Sequence, residues 1–249
     1  MHLSVVIPAF NEAATIGVVL ARVRAALAQL ATEGVAGDII VVNDASTDGT
    51  LAAAQALASG DLVVLSHDRN MGKGGAVRTG FAHALARAKA REAAGAHGRQ
   101  DTILLVQDAD LEYAPADYPK LLAPLLRGEA DAVFGSRFVG GDAHRVLYFW
   151  HAVANKCLTL LSNCMTNLNL TDMECGPKAL RASLAERITI EENDFGIEPE
   201  LVAKVAALRA RVFEVGVSYS GRTYAEGKKI TWKDGLRAIG VILKYGFGR

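Results

Sequence analysis

Five short aliphatic runs recur through the first half of the chain, and a segment of helix length follows each. The runs are LSVVIPAF (3–10), DIIVVND (38–44), DLVVLSH (61–67), TILLVQ (102–107) and DAVFGSR (131–137). They are continuously apolar rather than alternating, the pattern of strands buried on both faces. The intervening segments carry helical periodicity. Over 12–31, Ile16, Val19, Leu20, Val23, Leu27 and Leu30 make one apolar face, and further helices are predicted over 48–58, over 73–94 and from Pro115. This alternation predicts an α/β fold, a mostly parallel sheet flanked by helices and joined by right-handed crossovers. Such sheets place their sites at the carboxyl ends of the strands. Asn11-Glu12, Asp44, Asn70-Met71-Gly72-Lys73, Asp108-Ala109-Asp110 and Arg137 all fall at those ends.

Beyond about 140 the alternation stops. Residues 145–164 read as a long aromatic-rich amphipathic helix, 198–208 as a helix, 211–219 as a late strand and 231–247 as a final helix. The stretch NLNLTDMECGPKAL reads as turns leading to a short helix. With no internal repeat and no low-complexity linker, the expected organisation is one domain over 1–249. Its first half (1–138) would carry the ligand site, and its second half (139–249) a helical elaboration.

The formal net charge is +0, which leaves general nucleic-acid binding without electrostatic support, so any anion site must be local. Cys157, Cys164 and Cys175 form no metal-type pair. The opening MHLSVVIPAF reads as a first strand rather than a leader, so the expectation is reduced thiols and the cytoplasm. No run approaches the roughly 18–20 apolar residues of a spanning helix. Val146, Phe149, Trp150 and Val153, flanked by Arg145 and Lys156, and the mixed apolar and basic face of the last helix are what an interfacial helix presents, so peripheral membrane contact is expected.

The apolar strand 102–107 ends in Asp108 and Asp110, with Glu112 two positions on. In extended chain, side chains two apart point the same way, so the carboxylates converge. Hard oxygen donors of this kind suit Mg²⁺ or Mn²⁺ rather than zinc, and such ions are usually shared with phosphate oxygens. The cluster therefore implies a phosphorylated substrate, with a diphosphate the best fit. Asp44 can accept hydrogen bonds from a base or a ribose hydroxyl, while Ser46 and Asp48 read as caps. The segment Gly72–Gly75 lets backbone approach a ligand and opens a helix whose N–H groups attract anions, although it lacks the P-loop spacing. Arg137, Arg222, Lys228 and Lys229 are cations that can hold a leaving diphosphate or an acceptor phosphate. The histidines, His67 among them, show no ligand spacing and read as surface or core residues.

VVIPAFNE, VVNDASTDGT, NMGKGGAVRTGF, QDADLEY and FGSRF, in this order and spacing, resemble family 2 glycosyltransferases of the GT-A fold, in particular the dolichyl- or polyprenyl-phosphate sugar transferases. The resemblance covers 3–138 strongly and the remainder more loosely. It implies that Pro8, Phe10, Glu12 and Asp44 border a nucleotide sugar, together with Gly72, Lys73, Asp108 and Ala109. It implies a divalent metal on Asp108 and Asp110, with Glu112 where similar enzymes often have Gln. Arg137, Arg222 and Lys228 would contact phosphates. TDMECGPKAL departs from the family pattern.

The implied reaction is an inverting, metal-dependent transfer from a GDP-mannose or UDP-glucose type donor to a polyprenyl or dolichyl phosphate at the membrane surface. Asp110 and Arg137 act at the reacting centre. A phosphate acceptor needs no general base. If the acceptor is instead a lipid or glycan hydroxyl, Asp172 or Glu174 is the candidate base. A sugar-phosphate nucleotidyltransferase and a non-catalytic nucleotide-sugar-binding protein are the competing classes. The first lacks its glycine-rich loop here, since PAFNE stands in that place, and the second would not need to keep the carboxylates.

Overall fold

In the computed structural model, which describes residues 1–96, 98–140, 145, 146, 148–223, 226, 227 and 232–246, the first half alternates as its apolar pattern requires. Strand β1 (His2–Ala9) leads to helix α1 (Ile16–Thr32), β2 (Ala36–Asn43) to α2 (Thr50–Ala56), β3 (Leu62–Ser66) to α3 (Gly72–Ala93) and β4 (Thr102–Val106) to α4 (Tyr118–Leu126), before β5 (Ala132–Ser136). The remainder contributes α5 (Phe149–Thr166), β6 (Lys178–Arg181), α6 (Ala182–Ala185), α7 (Ile197–Ala207), β7 (Val212–Gly216) and α8 (Trp232–Gly246).

The strands form one seven-stranded sheet in the order β3-β2-β1-β4-β6-β5-β7. β6 runs antiparallel to both β4 and β5, and the other pairs are parallel. Continuous apolar runs serve both faces of this sheet. Leu3, Val5 and Ile7 pack with Leu20 and Leu121 on one side, whereas Val6, Ile40 and Val42 pack with Val77, Phe81 and Val202 on the other. Each fully buried aliphatic side chain of this kind contributes about 1.5–3 kcal/mol.

Two elements differ from the sequence reading. Lys178–Arg181, read as turn and helix, is the antiparallel strand β6. KALR has no β-branched residue and reads as helical, but β4 and β5 leave a gap whose unpaired backbone groups it fills, so tertiary pairing overrides propensity. The helix expected from 145 begins at Phe149. Arg145 belongs to other structure, its N–H donating to the Tyr219 carbonyl and its guanidinium reaching the Gly221 carbonyl and Glu226.

Candidate active site

The parallel strands deliver their carboxyl ends to one edge of the sheet, and backbone strain gathers there. Asn11, Ala45 and Leu111, which follow β1, β2 and β4, hold φ values of 51°, 55° and 65°. A left-handed residue other than glycine costs about 1–2 kcal/mol, more readily borne by Asn than by Ala or Leu. These reversals turn the chain sharply so that the residues beside them face the edge. The first two loops are tied together. Asp48 accepts the N–H groups of Ala13 and Thr50, Thr50 Oγ1 accepts the Glu12 N–H at 2.8 Å, and Ser46 Oγ accepts the Asn11 N–H at 3.0 Å. Ser46 and Asp48, read as caps, instead brace these two loops, since the N-cap of α2 is Gly49 and carries no side-chain cap bond.

Past β4, Asp108 and Asp110 are partly exposed while Ala109 between them is 4% exposed and packed in the core. The alternation expected of extended chain holds for the two aspartates. Ala109 contributes its side chain to packing, so only its backbone can meet a ligand. At Leu111 the chain turns, so Glu112 does not extend the row. Its N–H donates back to Asp110 Oδ1 at 3.1 Å. Glu112 is instead brought in by the segment 219–222, which lies along 112–113. Tyr113 and Tyr219 form an antiparallel bridge, the Ser220 N–H donates to the Glu112 carbonyl, and the Arg222 N–H donates to Glu112 Oε1 at 2.8 Å.

This segment sets the Arg222 guanidinium among carboxylates. Its Nη1 and Nη2 each reach one oxygen of Glu12 at 3.2 Å, and Nη2 also reaches Asp110 Oδ2 at 3.2 Å. On the other flank Lys73 Nζ bridges Asp108 Oδ1 at 2.8 Å and Glu198 Oε1 at 2.9 Å, and the other oxygen of Glu198 receives Lys178 from β6. Arg222 and Lys73, expected on phosphates and nucleotide sugar, here neutralise the acidic cluster. Among the described residues no three His, Cys, Asp or Glu side chains form a ready-made metal cage.

The electrostatics nevertheless suit a divalent cation. Burial, with the nearby charges of Asp108 and Glu112, pushes the Asp110 carboxyl up to about 7 despite the Glu112 N–H and Arg222. A hard oxygen cluster still short of positive charge is the donor set that Mg²⁺ or Mn²⁺ takes. Burial opposes the Lys73 charge, but Asp108 and Glu198 outweigh it and raise its pKa.

The glycine-rich turn has a different task from the one expected. Gly72 has φ +74°, and a Cβ there would lie 2.3 Å from the Asn193 carbonyl oxygen, so the glycine admits the loop 192–194 against α3. Two helix-start N–H groups are also taken, Gly72 by Asn70 Oδ1 and Gly75 by the Asn193 carbonyl. Gly176, in the stretch that departs from the family pattern, is explained in the same way. A Cβ there would lie 2.2 Å from Asp108 Oδ2, so this backbone presses directly on the carboxylate.

After β5, Arg137 is locked to Asp172. The Arg137 backbone N–H and Nε donate to Asp172 Oδ2 at 3.0 and 2.6 Å, and Nη2 donates to Oδ1 at 2.7 Å. Asn155 also donates to Oδ1 at 3.0 Å. The Asp172 side chain is wholly buried. The guanidinium lies 5.3 Å from the Tyr219 ring centroid and 5.8 Å from that of Phe138. Burial opposes its charge, yet Tyr113 and Asp172 lift its pKa well above the ordinary value. Glu174 differs from Asp172. Its Oε1 is buried without a hydrogen-bond partner among the described residues, and burial with the neighbouring Glu198 charge pushes its carboxyl up to about 7. Lys228 and Lys229 lie outside the described residues.

Asp44, after β2, is 2% exposed. His67 Nδ1 and the Met71 N–H both reach its Oδ1, at 2.7 and 2.8 Å. His67 therefore belongs to the site, which the sequence reading missed. Only its place at the end of β3, level with Asp44, marks it in the sequence. A cleft of ≈ 340 Å³ lined by Arg69, Asn70, Met71, Asn193 and Asp194 adjoins this group. A larger one of ≈ 410 Å³, by Gln100, Asp131 and Arg209, lies at the opposite end of the sheet where β4, β5 and β7 begin. Pro8 and Phe10 are half-buried at the end of β1, between the Asp44 side and the aspartates.

Beside Arg137 the surface turns apolar. Phe138, Tyr148, Phe149 and Trp150 are 41, 41, 70 and 75% exposed, with Lys156 Nζ 5.8 Å from the Phe138 ring centroid. Among the described residues no helix is long and apolar enough to cross a membrane.

A mixed sheet in this order, with an acidic pair closing its fourth strand, is a fold of the GT-A type. The family profile described as glycosyl transferase family 2 matches residues 4–189, and the chain belongs to that family. It is 30% identical over 239 residues to an undecaprenyl-phosphate mannosyltransferase of Micrococcus luteus, covering 92% of this chain and 87% of that protein. It is 27% identical over 231 residues to a dodecaprenyl-phosphate galacturonate synthase of Rhizobium johnstonii, covering 92% of this chain and 62% of that one. The fold matches a solved glucosyl-3-phosphoglycerate synthase from Mycobacterium tuberculosis, in complex with Mn²⁺, UDP and phosphoglyceric acid, at TM-score 0.67 and 22% identity, covering 99% of this chain and 78% of that one.

Proposed function

We propose that this glycosyltransferase moves a sugar from a nucleoside-diphosphate sugar to a polyprenyl phosphate held at a membrane surface. The observation that carries the reading is the acidic cluster of Glu12, Asp108, Asp110 and Glu112, interleaved with Arg222 and Lys73, between the carboxyl ends of β1 and β4. Two relatives whose names specify polyprenyl-phosphate acceptors but different sugars support the acceptor class and leave mannose and uronic acid donors open.

Asp108 and Asp110 would hold Mg²⁺ or Mn²⁺, with Glu112 alongside. The ion, when bound, neutralises the diphosphate that leaves as the glycosidic bond breaks. Glu12, Pro8, Phe10 and Asp44 line the nucleoside side. Gly72 and Lys73 set the wall opposite, with Lys73 fixing Asp108. Arg222, paired with Glu12 and Asp110, would have guanidinium N–H groups to offer the diphosphate wherever a bound cation shared that carboxylate charge. Arg137, oriented by Asp172, presents positive charge on the acceptor side. The acceptor phosphate, with a second pKa of about 6, is already the nucleophile at neutral pH and attacks the anomeric carbon from the opposite face, with inversion. Asp172 has both oxygens engaged by Arg137 and Asn155, so its task is positioning rather than proton transfer. The exposed aromatic patch beside Arg137, with Lys156, is placed to meet the lipid.

A second reading is a hydroxyl acceptor, and one observation favours it. Glu174 carries the unpartnered buried oxygen and the elevated pKa of a general base. Labelled UDP-glucose, GDP-mannose and UDP-galacturonate, supplied with Mn²⁺ and either undecaprenyl phosphate or undecaprenol, decide between the two. Label extracted with the lipid phosphate, with nucleoside diphosphate released in equal amount, is the expected result. Label on the alcohol alone selects the second reading, and none on either acceptor counts against both.

A further inference from the structure

Asp44 and His67 directly follow β2 and β3, on the far side of β1 from Asp108 and Asp110, and their hydrogen bonds fix protons. A carboxylate oxygen only accepts. Asp44 Oδ1 receives the Met71 N–H at 2.8 Å, so the His67 Nδ1 facing it at 2.7 Å must carry hydrogen. The tautomer is thereby set. His67 Nε2 meets Thr79 Oγ1 at 2.8 Å, a hydroxyl able to give or take, and that hydroxyl also lies 3.1 Å from the Gly75 carbonyl it can donate to. The chain Thr79–His67–Asp44 is thus anchored on the first turns of α3. The Asn70 side chain donates to the Asp44 carbonyl at 3.2 Å, and Asn70 and Met71 both line the adjoining cleft.

We infer that His67 is the positioning residue for the donor's nucleobase. It holds the Asp44 carboxylate with one oxygen saturated by two donors, oriented to accept a ring N–H from the base. This deepens the proposed function and rests on its donor site. The distance is suitable. β1 lies between β2 and β4, and two strand spacings of about 4.8 Å put Asp44 roughly 10 Å from the aspartates, a nucleoside's length from diphosphate to base. An acceptor-only group selects for the ring N–H donors, uracil and guanine, over cytosine and adenine, which lack one.

Isothermal calorimetry with UDP, GDP, CDP and ADP in the presence of Mn²⁺ tests this on wild type, His67→Ala, His67→Asn and His67→Gln, with melting temperatures as the folding check. Asn carries its amide N–H where Nδ1 sits, and Gln where Nε2 sits. Expected are wild-type preference for UDP or GDP, a loss of about tenfold or more in that affinity and of base preference in His67→Ala, and recovery in Asn but not Gln. In turnover, His67→Ala raises KM for the donor and leaves kcat near wild type. His67→Ala binding as wild type does, or Asn as weak as Ala, overturns the inference and spares the donor-site reading. A wild type that takes up none of the four nucleotides overturns both.

Discussion

Arg222 forks Glu12 across 210 positions of sequence, each terminal nitrogen 3.2 Å from one carboxylate oxygen, and the same guanidinium touches Asp110. The cation stands among negative charges gathered from β1 and β4, which would repel without it. Replacement by Ala should lower the metal-free stability by on the order of 2 kcal/mol, since an uncompensated, mostly buried carboxylate pair remains. Mn²⁺ should then stabilise Arg222→Ala more than wild type, while turnover stays depressed because the diphosphate has lost its partner. Thermal melts with and without Mn²⁺, beside a turnover assay, read both effects. Equal Mn²⁺ shifts in the two proteins would argue against shared charge.

Asp110 gives a pH dependence whose sign is fixed. Its folded pKa, about 7, lies above the ordinary value of about 3.9 for the unfolded chain. Between those values the folded state keeps a proton that the unfolded state has lost, so the metal-free protein loses stability as pH rises from about 4 to 7. Glu174, also raised to about 7, adds to the same slope. Divalent-ion affinity should rise over this window as Asp110 ionises. Asp110→Asn should flatten part of the stability slope and abolish both metal uptake and turnover. Melts from pH 4 to 8, with titrations of Mn²⁺ at each pH, test it.

Gly176→Ala is the narrowest probe of the metal pair. The added methyl would sit 2.2 Å from Asp108 Oδ2 and 3.2 Å from the Tyr113 ring, so the carboxylate must swing away while the ring gives by only a few tenths of an ångström. Weaker Mn²⁺ binding with a melting temperature within a few degrees of wild type is expected. Unchanged affinity would show that Asp108 holds the ion in another rotamer or not at all.

Much of this arrangement is visible in the chain before folding. The aliphatic runs give the parallel strands because burial on both faces leaves no room for alternation, and Val5 and Val6 indeed pack to opposite sides. Asp108, Asp110, Asp44 and Arg137 are legible because each ends a strand. What stays hidden depends on long-range contact. β6 is a strand only because β4 and β5 flank it. His67 matters only because β3 lies next to β2. Gly176 and Glu198 gain meaning only through Asp108 and Lys73, partners far away in sequence. The turn at Leu111, which diverts Glu112 toward Arg222, carries no glycine to announce it.

The Arg137–Asp172 pair predicts a loss without a change in pH profile. Asp172→Asn keeps the shape and removes the charge that orients the guanidinium, so kcat/KM for the lipid acceptor should fall about a hundredfold, the scale of a misplaced electrostatic group. If Asp172 were instead a base, the variant would also lose the acidic limb of the rate profile. Measuring kcat/KM from pH 5.5 to 8.5 for wild type and Asp172→Asn separates positioning from proton transfer.

Phe149 and Trp150 stand in edge-to-face contact, ring centroids 5.2 Å apart, at the start of a helix whose neighbouring surface includes Phe138 and Tyr148. Isolated exposed apolar residues are ordinary, but adjacent large aromatics flanked by Arg145 and Lys156 form a patch suited to a headgroup layer. Burying one such side chain fully is worth about 1.5–3 kcal/mol, so partial insertion of both is worth roughly 3 kcal/mol, about a hundredfold in partition. Phe149→Ser with Trp150→Ser should therefore leave the melting temperature and nucleotide binding unchanged, because neither ring supports the core. The same variant should reduce flotation with vesicles containing anionic lipid and polyprenyl phosphate by that factor, and raise KM for the lipid acceptor without touching a water-soluble short-chain analogue. Flotation equal to wild type would remove the patch from the lipid surface and leave acceptor delivery to some other face.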